Sequence, residues 1–282
     1  MNDYFETKVM QSNILITGAT GFIGKALFAR LITLNPIGTY FTTKPEFADG
    51  ITVFADLREE ATVRSLFDEY KPSVIFHLAA LVSPLANEQN PLLAVESNLR
   101  ITENILKYCK PTAHVIFLST DKVFDGSVCC PDEVSPTCPS GLYGQLKWQC
   151  ERLIQKHAER HHIFRLPIVH DMGNTRSKSF VDKSLSNLKS GNKVTAFANV
   201  KRCYVRVNQL VEILQKSGDD INYGVYHVGS QLESYFERIR KLCEEENVDY
   251  EGLLEIANGD VFPLEQDLDT SKAQNVFEIK FN

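Results

Sequence analysis

The stretch of sequence that decides the fold is Ile14-Leu15-Ile16-Thr17-Gly18-Ala19-Thr20-Gly21-Phe22-Ile23-Gly24. A short apolar run, typical of a buried strand, leads into a glycine-rich turn, and the amphipathic residues 22–34 that follow predict a helix. Gly18 permits a tight turn, Gly21 lets the backbone approach a pyrophosphate, and Gly24 lets the helix pack closely on the strand. Although glycines alone would also suit a purely structural turn, their place between a strand and a helix favours phosphate binding. The stretch therefore predicts a dinucleotide-binding site at Gly18, Thr20, Gly21, Phe22, Ile23 and Gly24.

The same alternation of short apolar runs and longer amphipathic stretches continues through the first two-thirds of the chain. Strands are predicted at 39–41, 51–54, 74–76, 114–118 and 163–166, and helices at 61–70, 92–108 and 142–160, the last with Ser140 as N-cap. Strands that are apolar along their length and alternate with helices indicate a parallel sheet covered on both faces. We therefore predict an α/β fold of the Rossmann type, a doubly wound parallel sheet whose ligand crevice lies beyond the carboxyl ends of its strands.

The last third of the chain is less regular. Helices are predicted at 178–189, 208–216 and 234–246, with short strands at 194–197 and 225–228 between them. We predict two domains: a dinucleotide-binding Rossmann domain over residues 1–166 and a smaller α/β substrate-binding lobe over residues 167–282. Segments of the two could interleave.

Composition and charge exclude several functions. The 282 residues carry a net charge of −6, which disfavours a nucleic-acid or anionic-membrane partner. Residues 1–13 are polar, with no apolar core like that of a signal peptide, and nowhere do 18 consecutive apolar residues form a membrane span. We expect a cytoplasmic protein. The oligomeric state is open, a homodimer included.

The seven cysteines are irregularly spaced, which indicates reduced thiols. The group Cys129, Cys130 and Cys138 lacks the matching histidine pattern of a zinc site, so no metal is expected.

A second pattern, Tyr143-x-x-x-Lys147, lies on the predicted helix at 142–160. Residues four apart share one face of a helix, so the two side chains can share one site. A phenol has a pKa of about 10 and is a poor acid–base group at neutral pH. We expect the Lys147 ammonium, aided by an oxidised nicotinamide, to lower the pKa of Tyr143, which can then exchange a proton with a substrate oxygen while hydride moves.

These motifs resemble those of the extended short-chain dehydrogenase/reductase family, whose members mostly act on nucleotide sugars. The resemblance rests on the spacing T-G-x-x-G-x-x-G, on Tyr-x-x-x-Lys and on the order of strands and helices. Residues 119–126, Ser-Thr-Asp-Lys-Val-Phe-Asp-Gly, look very similar to the signature of the dTDP-4-dehydrorhamnose reductase branch, and residues 142–147 and 268–272 are compatible with it. The resemblance implies an enzyme that reduces a 4-keto-6-deoxy sugar nucleotide with NADPH or NADH.

The resemblance also implies roles for single residues. Thr120 occupies the position of the family's catalytic hydroxyl, although a plain cap on the strand end is the alternative. The other implied positions are Asp56 and Leu57 at the adenine, Leu78, Ala79 and Ala80 along the cofactor, and Pro167 beside the nicotinamide.

The end of the second strand bears on the choice of cofactor. An NAD site usually places Asp or Glu there to bind the ribose 2′-hydroxyl. Here Thr42 and Lys44 supply a hydroxyl and a cation, which favour the 2′-phosphate of NADP over NAD. The alternative is that Lys44 is an ordinary solvated lysine.

Lys122 departs from the reductase pattern, which generally has Tyr at this position. A Thr-Asp-Lys triplet resembles nucleotide-sugar 4,6-dehydratases and 5-epimerases, in which the acidic residue and the lysine assist loss of water or epimerisation around a bound NAD(P). Asp121 and Lys122 could play those parts, or they could be a partly exposed ion pair that contributes little.

The substrate contacts and a third class of function remain as alternatives. Ser83 follows the fourth strand, where the family meets the sugar, and Arg202 and Arg206 could bind the diphosphate, since guanidinium suits phosphate. Each could equally be a surface or structural residue. Some reductase-like proteins bind NADP as regulatory subunits, such as the beta subunit of methionine adenosyltransferase, and nothing in the sequence excludes that role.

Overall fold

The structure, a computed structural model, describes residues 13–45, 50–171 and 179–281. Its strands, in chain order, are β1 (Ile14–Thr17), β2 (Ile37–Tyr40), β3 (Ile51–Phe54), β4 (Val74–His77), β5 (His114–Thr120), β6 (Arg160–Leu166), β7 (Ile168–His170), β8 (Val194–Phe197), β9 (Lys201–Arg202), β10 (Tyr204–Arg206), β11 (Gly224–His227), β12 (Glu233–Ser234), β13 (Leu254–Ala257) and β14 (Glu265–Gln266). Its α-helices are α1 (Phe22–Arg30), α2 (Glu60–Tyr70), α3 (Pro84–Gln89), α4 (Pro91–Val95), α5 (Ile101–Tyr108), α6 (Gly141–His157), α7 (Phe180–Lys189), α8 (Val207–Ser217), α9 (Tyr235–Glu245) and α10 (Ser271–Phe277). A π-helical turn at Glu96–Arg100 joins α4 to α5.

Seven strands form the main parallel sheet, in the order β11-β6-β5-β4-β1-β2-β3. The strand order reverses between β1 and β4, and a doubly wound sheet binds ligands at the carboxyl ends of the strands at such a point. Thr17 at the end of β1 is in register with His77 of β4, and His77 is in register with Phe117 of β5. The predicted Rossmann-type α/β fold is confirmed.

The helices pack on the main sheet through a continuous apolar core. Leu15, Ile75 and Phe117 project from neighbouring strands and are at most 1% exposed. Helices α2, α5 and α6 cover them with apolar side chains at helical spacing, including Ile105 and Ile154. Each such buried aliphatic side chain contributes about 1.5–3 kcal/mol. This packing fixes α6 against the strand that ends at Thr120.

The chain divides into two compact units. Unit 1 consists of Met1–Val123, Pro139–Phe164 and Val211–Tyr226, and unit 2 of Phe124–Cys138, Arg165–Leu210 and His227–Asn282. Unit 1 therefore contains most of the main sheet. The single predicted boundary between residues 166 and 167 differs from this division, because residues 124–138 lie in unit 2 and residues 211–226 in unit 1.

Unit 2 is built from short strands and two packed helices. Its sheets are the pair β7–β10, the pair β8–β13 and the three strands β12-β9-β14. Helices α7 and α9 bury Leu185, Ile239 and Leu242 against β8 and Tyr204. Ser234 and Glu237 form a capping box that begins α9.

Most predicted elements are present, with shifted ends. The helix predicted at 22–34 ends at Arg30 and gives way to a single 3-10 turn at Ile32–Leu34, while β5 extends beyond the predicted residue 118 to Thr120. The strand predicted at 225–228 for the smaller lobe is β11, an edge strand of the main sheet. There it is hydrogen-bonded to β6, and its Tyr226 packs against Phe164 of β6 with ring centroids 5.8 Å apart. Residue 178, the predicted start of α7, lies outside the described residues.

Candidate cofactor and catalytic site

The glycine-rich turn has the geometry that its sequence predicts. Gly18 has φ +68°, a left-handed conformation that other residues adopt only with strain. A Cβ added at Gly24 would lie 2.2 Å from the carbonyl oxygen of Gly18, so helix α1 and the turn are in direct backbone contact. Gly21, which is exposed, is the N-cap of α1 and has no side chain to cover the free N–H groups of the first helical turn. Thr20, Phe22 and Ile23 are half-buried around it. The turn is therefore a cradle with room for a phosphate and none for side chains at Gly18 and Gly24.

The stretch Leu78-Ala79-Ala80 lies directly beside this turn. The hydroxyl oxygen of Thr17 accepts hydrogen bonds from the backbone N–H of Leu78 (3.0 Å) and of Ala79 (3.1 Å). A Cβ added at Gly18 would lie 3.0 Å from the Cα of Ala79. The structure thus brings together two groups of residues predicted to bind the cofactor.

Asp56, the predicted adenine contact, is held by Arg58. The Arg58 guanidinium donates to both carboxylate oxygens of Asp56, at 2.8 and 2.6 Å, and these hydrogen bonds lower the pKa of Asp56. The same guanidinium lies 4.9 Å from the ring centroid of Phe41, immediately before Thr42. Sequence reasoning missed Arg58, although a cation two residues after the adenine-site aspartate was visible. Leu57 is buried at 4% exposure.

Thr42 and Lys44 are both exposed after the end of β2, as a contact to a ribose 2′-phosphate requires. Arg58 places a third polar group at this end of the strand, through its contact with Phe41.

The side chains predicted for catalysis lie near the place where the backbone of α6 contacts the turn after β5. Tyr143 and Lys147 are 9% and 4% exposed on α6, and Thr120, at the end of β5, is 7% exposed. A Cβ added at Gly144 would lie 2.3 Å from the carbonyl oxygen of Lys122. Helix α6 therefore rests on the turn Asp121–Val123 that follows Thr120. The structure gathers the five predicted catalytic residues into one region of unit 1.

The turn after β5 orients its own side chains. The Thr120 hydroxyl donates to the Asp121 carboxylate at 3.2 Å and accepts from the backbone N–H of Lys122 at 3.3 Å. Asp121 is 7% exposed, whereas Lys122 is half-buried. Asp121 thus lies buried beside the candidate hydroxyl.

Burial and nearby groups raise the pKa of Tyr143 well above its ordinary value in the chain by itself. Burial of the phenol is the largest cause, followed by the electrostatic influence of Asp121 and Cys150. The expectation that Lys147, aided by an oxidised nicotinamide, lowers this pKa concerns the complex with cofactor and stays a prediction. Burial also lowers the pKa of Lys147 to about 8, with Cys150 and Glu151 opposing the change. The Lys147 Nζ lies 4.2 Å from the centroid of the Phe117 ring.

Glu151 is a second residue that sequence reasoning missed. It is 1% exposed and accepts a hydrogen bond from the hydroxyl of Ser119, the residue before Thr120. Its place on α6, four residues after Lys147, was the available indication. Ser119 therefore has a structural role, since its hydrogen bond to Glu151 links helix α6 to strand β5.

The residues predicted to bind substrate have protein partners. The exposed Ser83 caps α3 by accepting from the N–H of Ala86 at 3.2 Å. In unit 2, Arg202 donates to the carbonyl oxygens of Lys201 (2.6 Å), Pro263 (3.0 Å) and Leu264 (3.0 Å).

Arg206 and Pro167 also belong to unit 2. Arg206 pairs with Glu245. Pro167 packs against Gly229, where an added Cβ would lie 2.8 Å from the Pro167 Cγ. Each of these residues thus has a structural role of its own, and the predicted contacts to substrate and nicotinamide stay predictions.

The described ranges contain no group of three or more His, Cys, Asp or Glu residues arranged to hold a metal ion. Cys129, Cys130 and Cys138 are exposed free thiols in unit 2. Among the described helices, none is long and apolar enough to cross a membrane.

A parallel sheet with a glycine-rich cradle at its switch point, and a Tyr-x-x-x-Lys helix resting beside the end of β5, define an extended short-chain dehydrogenase/reductase. Within that class the chain belongs to the family of the RmlD substrate binding domain, whose family model matches residues 12–277. The predicted family resemblance is confirmed.

One curated relative and two solved structures illustrate the likeness. Methionine adenosyltransferase 2 subunit beta of Xenopus laevis is 31% identical over 205 residues, 71% of this chain and 59% of that protein, so the chain spans less than two-thirds of its length. The structure of a Bacillus anthracis dTDP-4-dehydrorhamnose reductase in complex with NADP has a TM-score of 0.80 at 20% identity, covering 96% of this chain and 94% of that one. A Thermotoga maritima UDP-glucose 4-epimerase, solved with UDP-glucose, has a TM-score of 0.82 at 21% identity with the same coverage. At such identities the two structures establish the fold alone.

Proposed function

We propose that the chain is an NAD(P)H-dependent reductase of a 4-keto-6-deoxy sugar nucleotide, with NADPH as the preferred cofactor. The observation that carries the proposal is the burial of Tyr143 and Lys147 on a helix that rests on the turn after Thr120. A glycine cradle suited to a pyrophosphate lies in the same unit. The family match and the relatives that carry NADP or a sugar nucleotide support the substrate class.

Cofactor binding is assigned to the cradle and the residues beside it. The phosphates would lie against Gly18, Gly21 and the start of α1, where side chains are excluded. The remaining contacts proposed are Thr20, Phe22, Ile23, Asp56, Leu57, Leu78, Ala79, Ala80, Tyr143, Lys147 and Pro167. Thr42 and Lys44, reinforced by Arg58, would bind the 2′-phosphate of NADPH.

The raised pKa of Tyr143 keeps the phenol protonated, which is the form that reduction requires. When bound, NADPH supplies a hydride to the C4 ketone. Tyr143 keeps its proton at neutral pH, and a neutral phenol is the form that can donate a proton to the carbonyl oxygen as the alcohol forms. Lys147 then stabilises the phenolate until solvent returns the proton. In the oxidative direction Tyr143 would first have to lose that proton against its burial and against Asp121.

Thr120 and Asp121 orient the substrate carbonyl. The Thr120 hydroxyl can turn from Asp121 to the carbonyl oxygen and share its developing charge. Ser83, Arg202 and Arg206 are proposed contacts to the sugar and the diphosphate.

The test is to mix the protein with NADPH and a dTDP-4-keto-6-deoxy sugar and to follow nicotinamide absorbance. Stoichiometric oxidation of NADPH is expected. Conversion of an unreduced sugar nucleotide without net use of cofactor would instead identify a dehydratase or epimerase, the function favoured by the Asp121-Lys122 pair.

A second candidate function is a regulatory subunit that binds NADP without turnover. The observation in its favour is the 31% identity with methionine adenosyltransferase 2 subunit beta. NADPH binding without turnover of any sugar nucleotide, together with binding to a methionine adenosyltransferase catalytic subunit, would establish it. The intact Thr120, Tyr143 and Lys147 favour the reductase.

The proposed setting is the cytoplasm. All seven cysteines are free in the structure, in keeping with a reducing compartment. A homodimer is proposed for the assembly, and sedimentation analysis would test it.

A further inference from the structure

A chain of buried polar side chains runs through unit 1 from the glycine-rich turn to helix α6. Its members are Thr17, His77, Thr102, Asn98 and Cys150, and each is at most 2% exposed. Burying a hydroxyl or an imidazole is costly unless it is hydrogen-bonded. The donors and acceptors present therefore determine the direction of most of these bonds.

The direction is set at Thr17. Its hydroxyl oxygen already accepts two backbone N–H groups, those of Leu78 and Ala79. Both lone pairs are therefore used, and the hydroxyl proton is left to donate to Nδ1 of His77, 3.1 Å away. Because Nδ1 accepts, the proton of the neutral imidazole is on Nε2, which donates to the hydroxyl oxygen of Thr102 at 3.0 Å.

The chain of bonds continues to the π-helical turn and to α6. The Thr102 hydroxyl donates to the carbonyl oxygen of Asn98 at 2.9 Å. The Sγ of Cys150, on α6, lies 3.3 Å from the Thr102 oxygen and 3.6 Å from that same carbonyl. The Asn98 side chain in turn accepts from the N–H of Leu81 at 3.2 Å.

The stretch 78–81 is consequently held at both ends by one network. Thr17 binds the N–H groups of Leu78 and Ala79, and Asn98 binds that of Leu81. The network ends three residues after Lys147 on the same helix. His77 also packs on Phe117, with ring centroids 5.3 Å apart, and Phe117 is the ring over which the Lys147 amine lies.

We propose that His77 is a positioning residue that couples the cofactor-facing stretch 78–81 to helix α6, acting as a neutral imidazole protonated on Nε2. A protonated His77 would carry a hydrogen on Nδ1 that opposes the Thr17 hydroxyl, so the chain of bonds exists only with the neutral ring. Burial, with Lys147 as the second cause, lowers the pKa of His77 to about 3, which keeps the ring neutral. The role of α6 in this coupling rests on the proposed function, whereas the link to cofactor binding does not require turnover.

Thr102 provides the sharpest test, because it bonds to His77 and has no bond to the stretch 78–81. Thr102→Val removes the hydroxyl at nearly constant volume and is expected to weaken NADPH binding about tenfold, within the range of ordinary coupling between sites. Thr102→Ser restores the hydroxyl and should restore affinity. The matched control is Thr270→Val, which removes a buried threonine hydroxyl in unit 2 and should lower thermal stability without changing the Kd for NADPH.

Two measurements decide the outcome. NADPH affinity is measured by fluorescence titration, and ¹⁵N NMR of the histidines, assigned with His77→Asn, reports which ring nitrogen carries the proton. A lowered melting temperature with unchanged NADPH affinity in Thr102→Val would show a purely structural role and overturn the proposal, as would a proton on Nδ1. If the wild-type protein binds NADPH but reduces no sugar nucleotide, the proposed function fails and the coupling is still decided by these Kd values. If it binds no NADPH, the proposed function and the cofactor link both fail.

Discussion

Units 1 and 2 use buried and half-buried polar side chains in different ways. In unit 1 they lie at the carboxyl ends of parallel strands, where the register places Thr17 beside His77. In unit 2 the arginines bind their own loops and helices: Arg202 holds the carbonyls of Pro263 and Leu264, and Arg206 pairs with Glu245. The topology of the main sheet thus brings polar side chains together at one edge, whereas in unit 2 these arginine side chains secure the connections between short elements.

Tyr143→Phe tests the chemical side of this comparison and has the largest expected effect. Removing a general acid costs about 10²–10⁴-fold in rate, and the ring that packs α6 is kept. We expect kcat for NADPH-dependent reduction to fall by about that factor while NADPH binding survives. Near-normal turnover in this variant would show that unit 1 does not collect the chemistry as proposed.

Gly24→Ala tests the backbone contact between α1 and the glycine-rich turn in unit 1. The added methyl lies 2.2 Å from the Gly18 carbonyl oxygen and cannot be accommodated without moving α1 from the turn. We expect NADPH binding to be lost and stability to fall by about 1–3 kcal/mol, as for other overpacked sites.

The matched control for that variant is Gly252→Ala in unit 2, where an added methyl meets nothing within 4 Å and φ is +71°. It should cost only about 1–2 kcal/mol of backbone strain and leave NADPH affinity intact. Equal loss of affinity in both variants would contradict the assigned cradle.

Acid should destabilise both units, through buried histidines. Burial is the first cause that lowers the pKa values of His77 and His114 in unit 1, and of His170 and His227 in unit 2, each to about 3. The unfolded chain binds these protons near pH 6.5, so the stabilisation is complete above that pH and is lost as the pH falls from there towards 3. Each histidine contributes up to about 1.4 kcal/mol per pH unit in that window.

Urea unfolding at pH 7.5, 6.5 and 5.5 measures this loss. The single tryptophan, Trp148, lies on α6 and its fluorescence reports unit 1, while amide hydrogen exchange reports unit 2. A matched variant is His157→Gln, which removes an imidazole that is exposed where the four others are buried. A free energy of unfolding that is constant over this pH range would refute the prediction.

Arg202→Lys has the smallest expected effect and separates the two roles of that residue. One ammonium cannot reach three carbonyl oxygens as the guanidinium does, so we expect a loss of about 1–2 kcal/mol in stability. If Arg202 also binds the diphosphate, KM for the sugar nucleotide rises while KM for NADPH does not. If the KM values for the sugar nucleotide and for NADPH are both unchanged, Arg202 has only a structural role within unit 2.

The fold and the positions of the site in unit 1 could be predicted because their determinants are local. Gly18, Gly21 and Gly24 act within one turn, and Tyr143 and Lys147 lie on one face of one helix. The pKa of Tyr143 could not be predicted in the same way. It depends on burial and on Asp121, which is distant in sequence and comes close only through the contact of α6 with the turn after β5.

The partners of Arg202 and the placement of β11 are two features that the sequence could not predict. Arg202 binds residues about 60 positions away, and no sequence motif indicates this contact. Strand β11 has the same apolar pattern whether it belongs to a small lobe or to the main sheet. Periodicity specifies that such a strand is buried and leaves open which neighbour buries it.

The contact between Gly144 and the Lys122 carbonyl has a consequence for how such a site can diverge. Main-chain atoms of Gly144 and Lys122 set the spacing between Tyr143, the proposed proton donor, and the end of β5. The side chains at 121 and 122 can therefore be exchanged without moving Tyr143. A lineage could therefore move between reduction, dehydration and epimerisation by point changes in that triplet. A side chain at position 144 would clash with the Lys122 carbonyl oxygen and move α6 away from the turn, which would disturb the site for all three reactions.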